Sequence, residues 1–317
     1  VYSVPFVERT GMRRIEERRG YSKLLMPLDG NANHVEVMYL GAFCVLAEAI
    51  AAGPGISILD TARHFPIIKD IAVDFHRMAA SDVTGEYELT ESHIAALEAD
   101  LETVRKRVAD LADGSGSYSM TVDGADLPVE LNGSLRIEGE RGVFTWHDVP
   151  PPLRYGINVP RAYTAAMTSY ALGCVIAPDV PNNHGSLSVF EMEVAPNTLL
   201  SAERPNPVSA RHVIGQLLPD VVFGCFEAIV PGLVPAESAS AVWTLTFRGE
   251  DFVNSVVTNG GTGARPGIDG LSTTAFPSAV QGTPVEVVEA MSPLVFWRRE
   301  LRAGSGGRGR QNGGDGQ

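Results

Sequence analysis

The chain has 317 residues, 44% of them hydrophobic and 20% charged, with a formal net charge of −13 at pH 7. That length suits two domains of about 100–200 residues each. The charge argues against nucleic acid and anionic membranes as partners, because phosphate groups need clustered Lys and Arg.

No apolar run reaches the roughly 18 residues a membrane span needs. The start, Val1-Tyr2-Ser3-Val4-Pro5, has neither Met nor a basic-then-apolar leader. A cytoplasmic protein is therefore expected, with the given sequence beginning inside a longer one. Cys44, Cys174 and Cys225 lie far apart among apolar neighbours, the usage of buried thiols in a reducing compartment.

Residues 12–27 read as two short strands turning at Arg19-Gly20. An apolar stretch from Val37 to Ala52 follows, with Leu40, Phe43, Cys44, Ala47 and Ile50 at helical spacing and Gly53-Pro54-Gly55 as its stop. Ile67, Ile71, Val73 and Phe75 predict a strand, and Val83, Tyr87 and Leu89 predict another with a bulge at Gly85. Ile94, Leu97, Leu101, Val104, Val108 and Leu111 form a helical stripe opposite a charged face, which predicts an amphipathic connecting helix capped near Thr90. Asp113 to Ser117 reads as a flexible break.

Beyond it, Leu127, Val129, Leu131, Leu135, Ile137, Val143 and Phe144 suggest β-hairpins. Pro160 opens a helix to about Ile176. Leu187 to Val194 reads as a strand with a bulge, Pro207 as the start of further helix, and Pro219 as its kink or division. Short strands and glycine loops follow to Gln317.

Two stretches carry chemistry. In the first, Asn33, Gly41 and Glu48 fall within the run Asn31 to Glu48. A helix amino end presents unpaired amides that can hold an oxyanion. Glu48 lies about 10.5 Å further along, so one carbonyl meets both groups only if two antiparallel helices supply them across a dimer. The plain alternative is a helix-face carboxylate at a dimer interface. His34, His64, His76 and His93 lack metal-ligand spacing, and no metal is expected.

This run resembles the hotdog-fold thioesterases of the phenylacetyl-CoA type over about residues 5–90. The resemblance implies an acyl-CoA thioesterase in which Glu48 is the base or the nucleophile, Asn33 orients it or the thioester, and Gly41 sits at the oxyanion end. The sequence departs where the family has His and a first helix Gly, here Tyr39 and Leu40, and an upstream Gly, here Glu36.

The second stretch is Gly260-Gly261-Thr262-Gly263-Ala264-Arg265-Pro266-Gly267-Ile268-Asp269-Gly270. Its amides can surround an anionic group, with Arg265 as a carboxylate or phosphate clamp positioned by Asp269. The plain alternative is a set of tight turns in which Arg265 pairs with Asp269. Asn182, Asn183 and His184 on a proline-bounded loop suit substrate contact or turn capping. His212 reads as a packed or capped histidine. No Gly-Lys-Ser/Thr follows the glycines, so ATP binding by this chain is not expected. Arg308-Gly309-Arg310 is a weak match to an RNA-binding tail.

Together with Gly156-Ile157-Asn158-Val159-Pro160, Pro178 to Gly185 and Glu300 to Arg310, this part resembles the hydantoinase B/oxoprolinase family from about Tyr118 to Gln317. The family includes the large subunits of acetone carboxylases. The resemblance implies ATP-linked ring opening of cyclic amides such as hydantoins or 5-oxoproline, or the related carboxylation chemistry, with ATP handled by a hydantoinase A-like partner. Nothing matches the amino-terminal half of that family's large subunit, and its members continue beyond Gln317.

The expected fold is α+β: a hotdog-like sheet wrapped on a central helix over 1–91, an amphipathic helix and linker over 92–116, and a mixed α/β region over 117–317. Catalysis is expected at Glu48, Asn33 and Gly41. Substrate binding is expected at Gly261, Arg265, Asp269, Asn182 and Asn183. A homodimer through the first part, or a non-catalytic assembly fragment, is the other reading.

Overall fold

The computed structural model describes residues 5–58, 74, 76–240 and 242–317. The chain forms two units, Val1–Ala99 and Asp100–Gln317. The strand expected at 67–75 lies outside the described residues, as does His64.

In the first unit a short helix α1 (Pro5–Arg9) precedes strands β1 (Arg13–Arg18) and β2 (Tyr21–Met26). Helix α2 (Leu40–Ile58) and strand β3 (Val83–Glu88) follow. The strands make an antiparallel sheet in the order β1-β2-β3. Period-two alternation places Ser22, Leu24 and Met26 inward on β2. Met38, Ala42 and Leu46 complete this small core.

The buried face of α2 differs from the expected one. Leu40 and Cys44 are exposed, while Ala42 and Leu46 are buried. Glu48 is the one charged residue on this helix, and the spacing of the apolar residues alone does not identify the side facing the sheet.

α2 also runs through Gly53-Pro54-Gly55. A proline removes one amide donor, and Ser57 secures the end by donating to the Pro54 carbonyl (2.7 Å) and accepting from the Gly20 amide (2.8 Å). Gly85 is not a bulge: its register opposite Leu24 is regular, and its missing Cβ makes room for Ile50 and Leu46. The register shift falls in β1, between Arg14 and Glu16.

Helix α3 (Glu91–Ala109) crosses the division between the units. Thr90 accepts a bond from the His93 amide at its start. Val104 and Val108, 1% and 0% exposed, belong to the core of the second unit. The expected flexible break after it is instead the start of strand β4 (Gly114–Val122). Glycine there permits close packing: a Cβ on Gly116 would run into the Cys225 carbonyl.

Strands β5 (Val129–Glu138) and β6 (Arg141–His147) follow as a hairpin, then helix α4 (Arg161–Ile176), the turn α5 (His184–Leu187) and strand β7 (Phe190–Glu193). The sheet order is β4-β5-β6-β7, and β7 joins β6 in parallel. β5 buries Val129, Leu131, Leu135 and Ile137, whereas Leu127 lies outside the strand at 76% exposure. The strand expected from Leu187 begins only at Phe190, because Asn183 caps α5.

Helices α6 (His212–Gly215) and α7 (Leu218–Glu227) come next. Pro219 sits in the first turn of α7, where its missing N–H is harmless, so it divides the helical stretch by starting a new helix rather than kinking one. Pro207 opens no helix. A two-stranded ribbon, β8 (Val242–Arg248) and β9 (Val253–Asn259), leads to helix α8 (Val285–Met291) and the glycine-rich end. Among the described residues no helix is long and apolar enough to cross a membrane.

Candidate functional site

Where β9 ends at Asn259, Gly260 to Ala264 continue as an extended wall. The segment 236–239 lies along one side, with the Ala239 amide bonded to the Gly261 carbonyl (3.0 Å) and the Ala236 amide to the Ala264 carbonyl (2.8 Å). The chain end lies along the other: the Gly314 amide reaches the Thr262 carbonyl (2.9 Å) and the Gln317 amide the Asn259 carbonyl (3.1 Å). Glycine is required by proximity, since a Cβ on Gly261 would strike the Gly314 carbonyl and one on Gly263 the Ala236 carbonyl.

These backbones enclose a cleft of about 640 Å³ whose lining includes Glu237, Ser238, Trp243, Gly261, Arg302 and Arg308. A smaller cleft of about 370 Å³ lies by Asp269, Arg308 and Asp315. Asp315 accepts bonds from the Gly306 (2.8 Å) and Gly304 (3.0 Å) amides, which hold its carboxyl below the usual range.

Behind the larger cleft lies Asp220, in the first turn of α7 and 2% exposed. It accepts a short bond from the Ser240 hydroxyl, and contacts the Ser238 hydroxyl at 3.4 Å and the Ser238 amide at 3.5 Å. Burial pushes its carboxyl up to about 6, against the opposing pull of the serine bonds and with a further push from Glu237. Tyr118 donates a short bond to Glu237, and this bond, with burial, pushes the phenol up to about 12. Sequence reasoning missed Asp220; the signal was one acid inside the apolar helical run Leu218 to Phe226.

The expected residues fall in several places. Gly261 lines the larger cleft and Asp269 the smaller. Arg265 donates to the backbone carbonyl of Asp269 (3.1 Å), while the Asp269 carboxylate accepts from the Asn312 amide (2.7 Å). Asn183 accepts from the Ser186 amide (3.0 Å) and donates to Asp100 (2.6 Å). Asn182 is exposed beside Gly173. Asn158, also within a recognised stretch, is fully buried and spends its carboxamide on Leu153, Tyr155 and Pro207. Burial holds the ring of His212 below its ordinary value, with the Arg211 charge beside it adding to the effect.

In the first unit Gly41 lies in the first turn of α2, under the Tyr39 ring. Asn33 uses its side-chain oxygen on the Val35 (2.9 Å) and Val37 (3.3 Å) amides, so it shapes the loop before the helix. Glu48 is exposed on the same face of α2 as Leu40 and Cys44. The expected burial of all three cysteines fails at Cys44. Among the described residues no group of three His, Cys, Asp or Glu side chains is placed to hold a metal.

The family model for hydantoinase B/oxoprolinase matches residues 79–317. The match begins well before Tyr118, so β3 and α3 are part of it. An uncharacterized protein of Methanocaldococcus jannaschii is 30% identical over 238 residues, 73% of this chain and 41% of that protein. A 5-oxoprolinase of Dictyostelium discoideum is 29% identical over 192 residues, 59% of this chain and 14% of that enzyme. The chain thus spans less than half the length of these relatives.

The solved structure of an ATP-dependent caprolactamase from Pseudomonas jessenii matches with a TM-score of 0.60 at 20% identity, covering 71% of this chain and 42% of that one. This likeness shows a shared mixed α/β fold. A probable thioesterase from Pseudomonas aeruginosa is 31% identical over 40% of this chain and 75% of its own, with a TM-score of 0.30, too low to argue from.

Proposed function

The chain belongs to the hydantoinase B/oxoprolinase family, and on that basis we propose that its second unit takes part in hydrolysing cyclic amides, with ATP handled by a hydantoinase A-like partner subunit. The glycine-walled cleft carries the reading. Its volume of about 640 Å³ admits a small lactam, and its lining carries the polar side chains Glu237, Ser238, Arg302 and Arg308, donors and acceptors that complement a ring amide.

In the reaction water adds to the ring carbonyl, the C–N bond breaks, and the nitrogen leaves as an amine. A 5-oxoprolinase and an ATP-dependent caprolactamase among the similar proteins support the substrate class. We assign ligand contact to Gly261 and, on the exposed loop, to Asn182. Arg265, Asp269 and Asn183 each commit a polar atom to a neighbouring group and do not line the larger cleft, so we assign them the shaping of the turns and loop they sit on. The test is glutamate release from 5-oxoproline by the full chain, with and without such a partner and ATP. Product is expected only when both are added. Product from the chain alone, or none with both, would reject the reading.

For the first unit we propose acyl-CoA thioester hydrolysis in a homodimer, with Glu48 as base or nucleophile, the helix end at Gly41 holding the oxyanion, and Asn33 ordering the loop that leads to it. The exposed face of α2 carrying Leu40, Cys44 and Glu48 favours this reading, since a second helix brought against it puts a carboxylate opposite a helix end. No hydrolysis of an acyl-CoA panel, or equal hydrolysis by Glu48→Gln, leaves the non-catalytic assembly reading in its place.

A further inference from the structure

We propose that Ser238 is a ligand-contacting residue of the cleft, accepting the ring N–H of the cyclic amide, and that Asp220 is the positioning residue that aims it. This rests on the reading of the cleft as the lactam site and names the group that tells a lactam from other small molecules.

Hydrogen-bond accounting leads to it. A serine hydroxyl has one proton to donate and two lone pairs to accept with. The Ser238 proton goes to the Ser240 oxygen, which lies closer to it than Asp220 Oδ2 at 3.4 Å. One lone pair takes the Ser240 amide at 3.1 Å. The Ser240 hydroxyl accepts this proton and donates its own to Asp220. One Ser238 lone pair is therefore left over, on a half-buried residue that lines the cleft.

The surroundings hold this arrangement rigidly. Asp220 is shielded from water on α7 and anchored by the Ser238 amide as well as both hydroxyls. Ser240 keeps its place at a φ of 38°, a left-handed conformation that costs serine energy and persists only where the surroundings enforce it. The segment carrying both serines is pinned to the glycine wall by the Ala239–Gly261 bond. A carboxylate that draws the Ser240 proton, and through it the Ser238 proton, fixes Ser238 as an acceptor toward the cleft. With its pKa near 6, Asp220 is mostly ionised at pH 7.5, where the test is run.

The experiment compares 5-oxoproline with its N-methyl analogue by calorimetric titration of the full chain. Methylation removes the ring N–H, so the wild-type chain is expected to bind the analogue at least about tenfold more weakly. In Ser238→Ala that preference should shrink to about twofold or less, because no acceptor remains. Asp220→Asn should shrink it similarly, since its amide can donate to Ser238 and occupy the same lone pair. Ser238→Ala keeps the test valid if the buried Asp220 variant fails to fold. Binding of 5-oxoproline with the wild-type preference intact in Ser238→Ala overturns this assignment alone. No binding of either compound by the wild-type chain overturns both it and the lactam reading of the cleft.

Discussion

Arg107 of α3 grips Asp179 with both guanidinium nitrogens, one of them at 2.8 Å, and also reaches the Ile176 carbonyl at the end of α4 (3.4 Å). The carboxyl-terminal half of α3 is therefore docked within the second unit from two directions. Its charged face ties to the loop after α4, and its apolar face places Val104 and Val108 in the core. Val108→Ala removes two methyl groups from a site with no exposure and should cost about 2–3 kcal/mol. Denaturant titration of the full chain would show it. A change below about 0.5 kcal/mol would mean the helix is not packed there.

The same pair makes a pH prediction. Arg107 holds the Asp179 carboxyl down to about 2, from an ordinary 3.8. The unfolded chain takes up this proton first as acid is added, so the contribution is complete above pH 4 and disappears as pH falls through 2. Both side chains are substantially exposed, so the effect should be modest and weakened by salt. The difference in Tm between wild type and Asp179→Asn should be steady at pH 5–7 and shrink between pH 4 and pH 2. A difference that does not change in that window counts against the pairing.

Cysteine reactivity should follow burial. Cys44 is exposed on α2, while burial pushes the Cys225 thiol up to about 12 and the Cys174 thiol upward as well. A thiol at about 12 leaves on the order of one molecule in ten thousand as thiolate at pH 8. Iodoacetamide followed by peptide mass spectrometry should label Cys44 first and Cys225 last. Labelling of Cys225 at the rate of Cys44 in folded protein would contradict the burial.

The sequence made local structure legible where one physical signal dominated. The Arg19-Gly20 turn, the Pro160 helix start and the alternation of Val129 to Ile137 each followed from a single rule. It misled where several rules were compatible with one pattern. α2 is apolar nearly all round, Glu48 excepted, so Leu40 and Cys44 gave the wrong face, and Gly53-Pro54-Gly55 looked like a stop because the Ser57 bonds depend on a distant strand turn. Gly114 to Ser117 looked flexible because a glycine packed under a helix reads like a glycine in a linker.

At the candidate site, Gly261 was legible because a glycine wall needs glycine. Asp220 and Ser238 were not, since their meeting joins α7 to a loop about 18 residues away. Arg265 and Asp269 do meet, but through the Asp269 backbone carbonyl, while its carboxylate serves the Asn312 amide.

The glycine wall makes the last prediction. An added Cβ at Gly261 meets the backbone carbonyl of Gly314, which cannot swing aside as a flexible side chain would. The chain end must then move, and the bonds from the Gly314 amide to Thr262 and the Gln317 amide to Asn259 must lengthen. Gly267 is the control: it has a φ of +74° and open space around it, so alanine there brings strain of about 1 kcal/mol confined to one turn. Hydrogen exchange should show the Gly314 and Gln317 amides losing at least about tenfold protection in Gly261→Ala and little in Gly267→Ala. Because Gly261 and Gly314 both line the larger cleft, 5-oxoproline binding should fall with that protection in the first variant and stay within about twofold of wild type in the second. Equal protection in both variants would mean that the chain end does not form the far side of the wall.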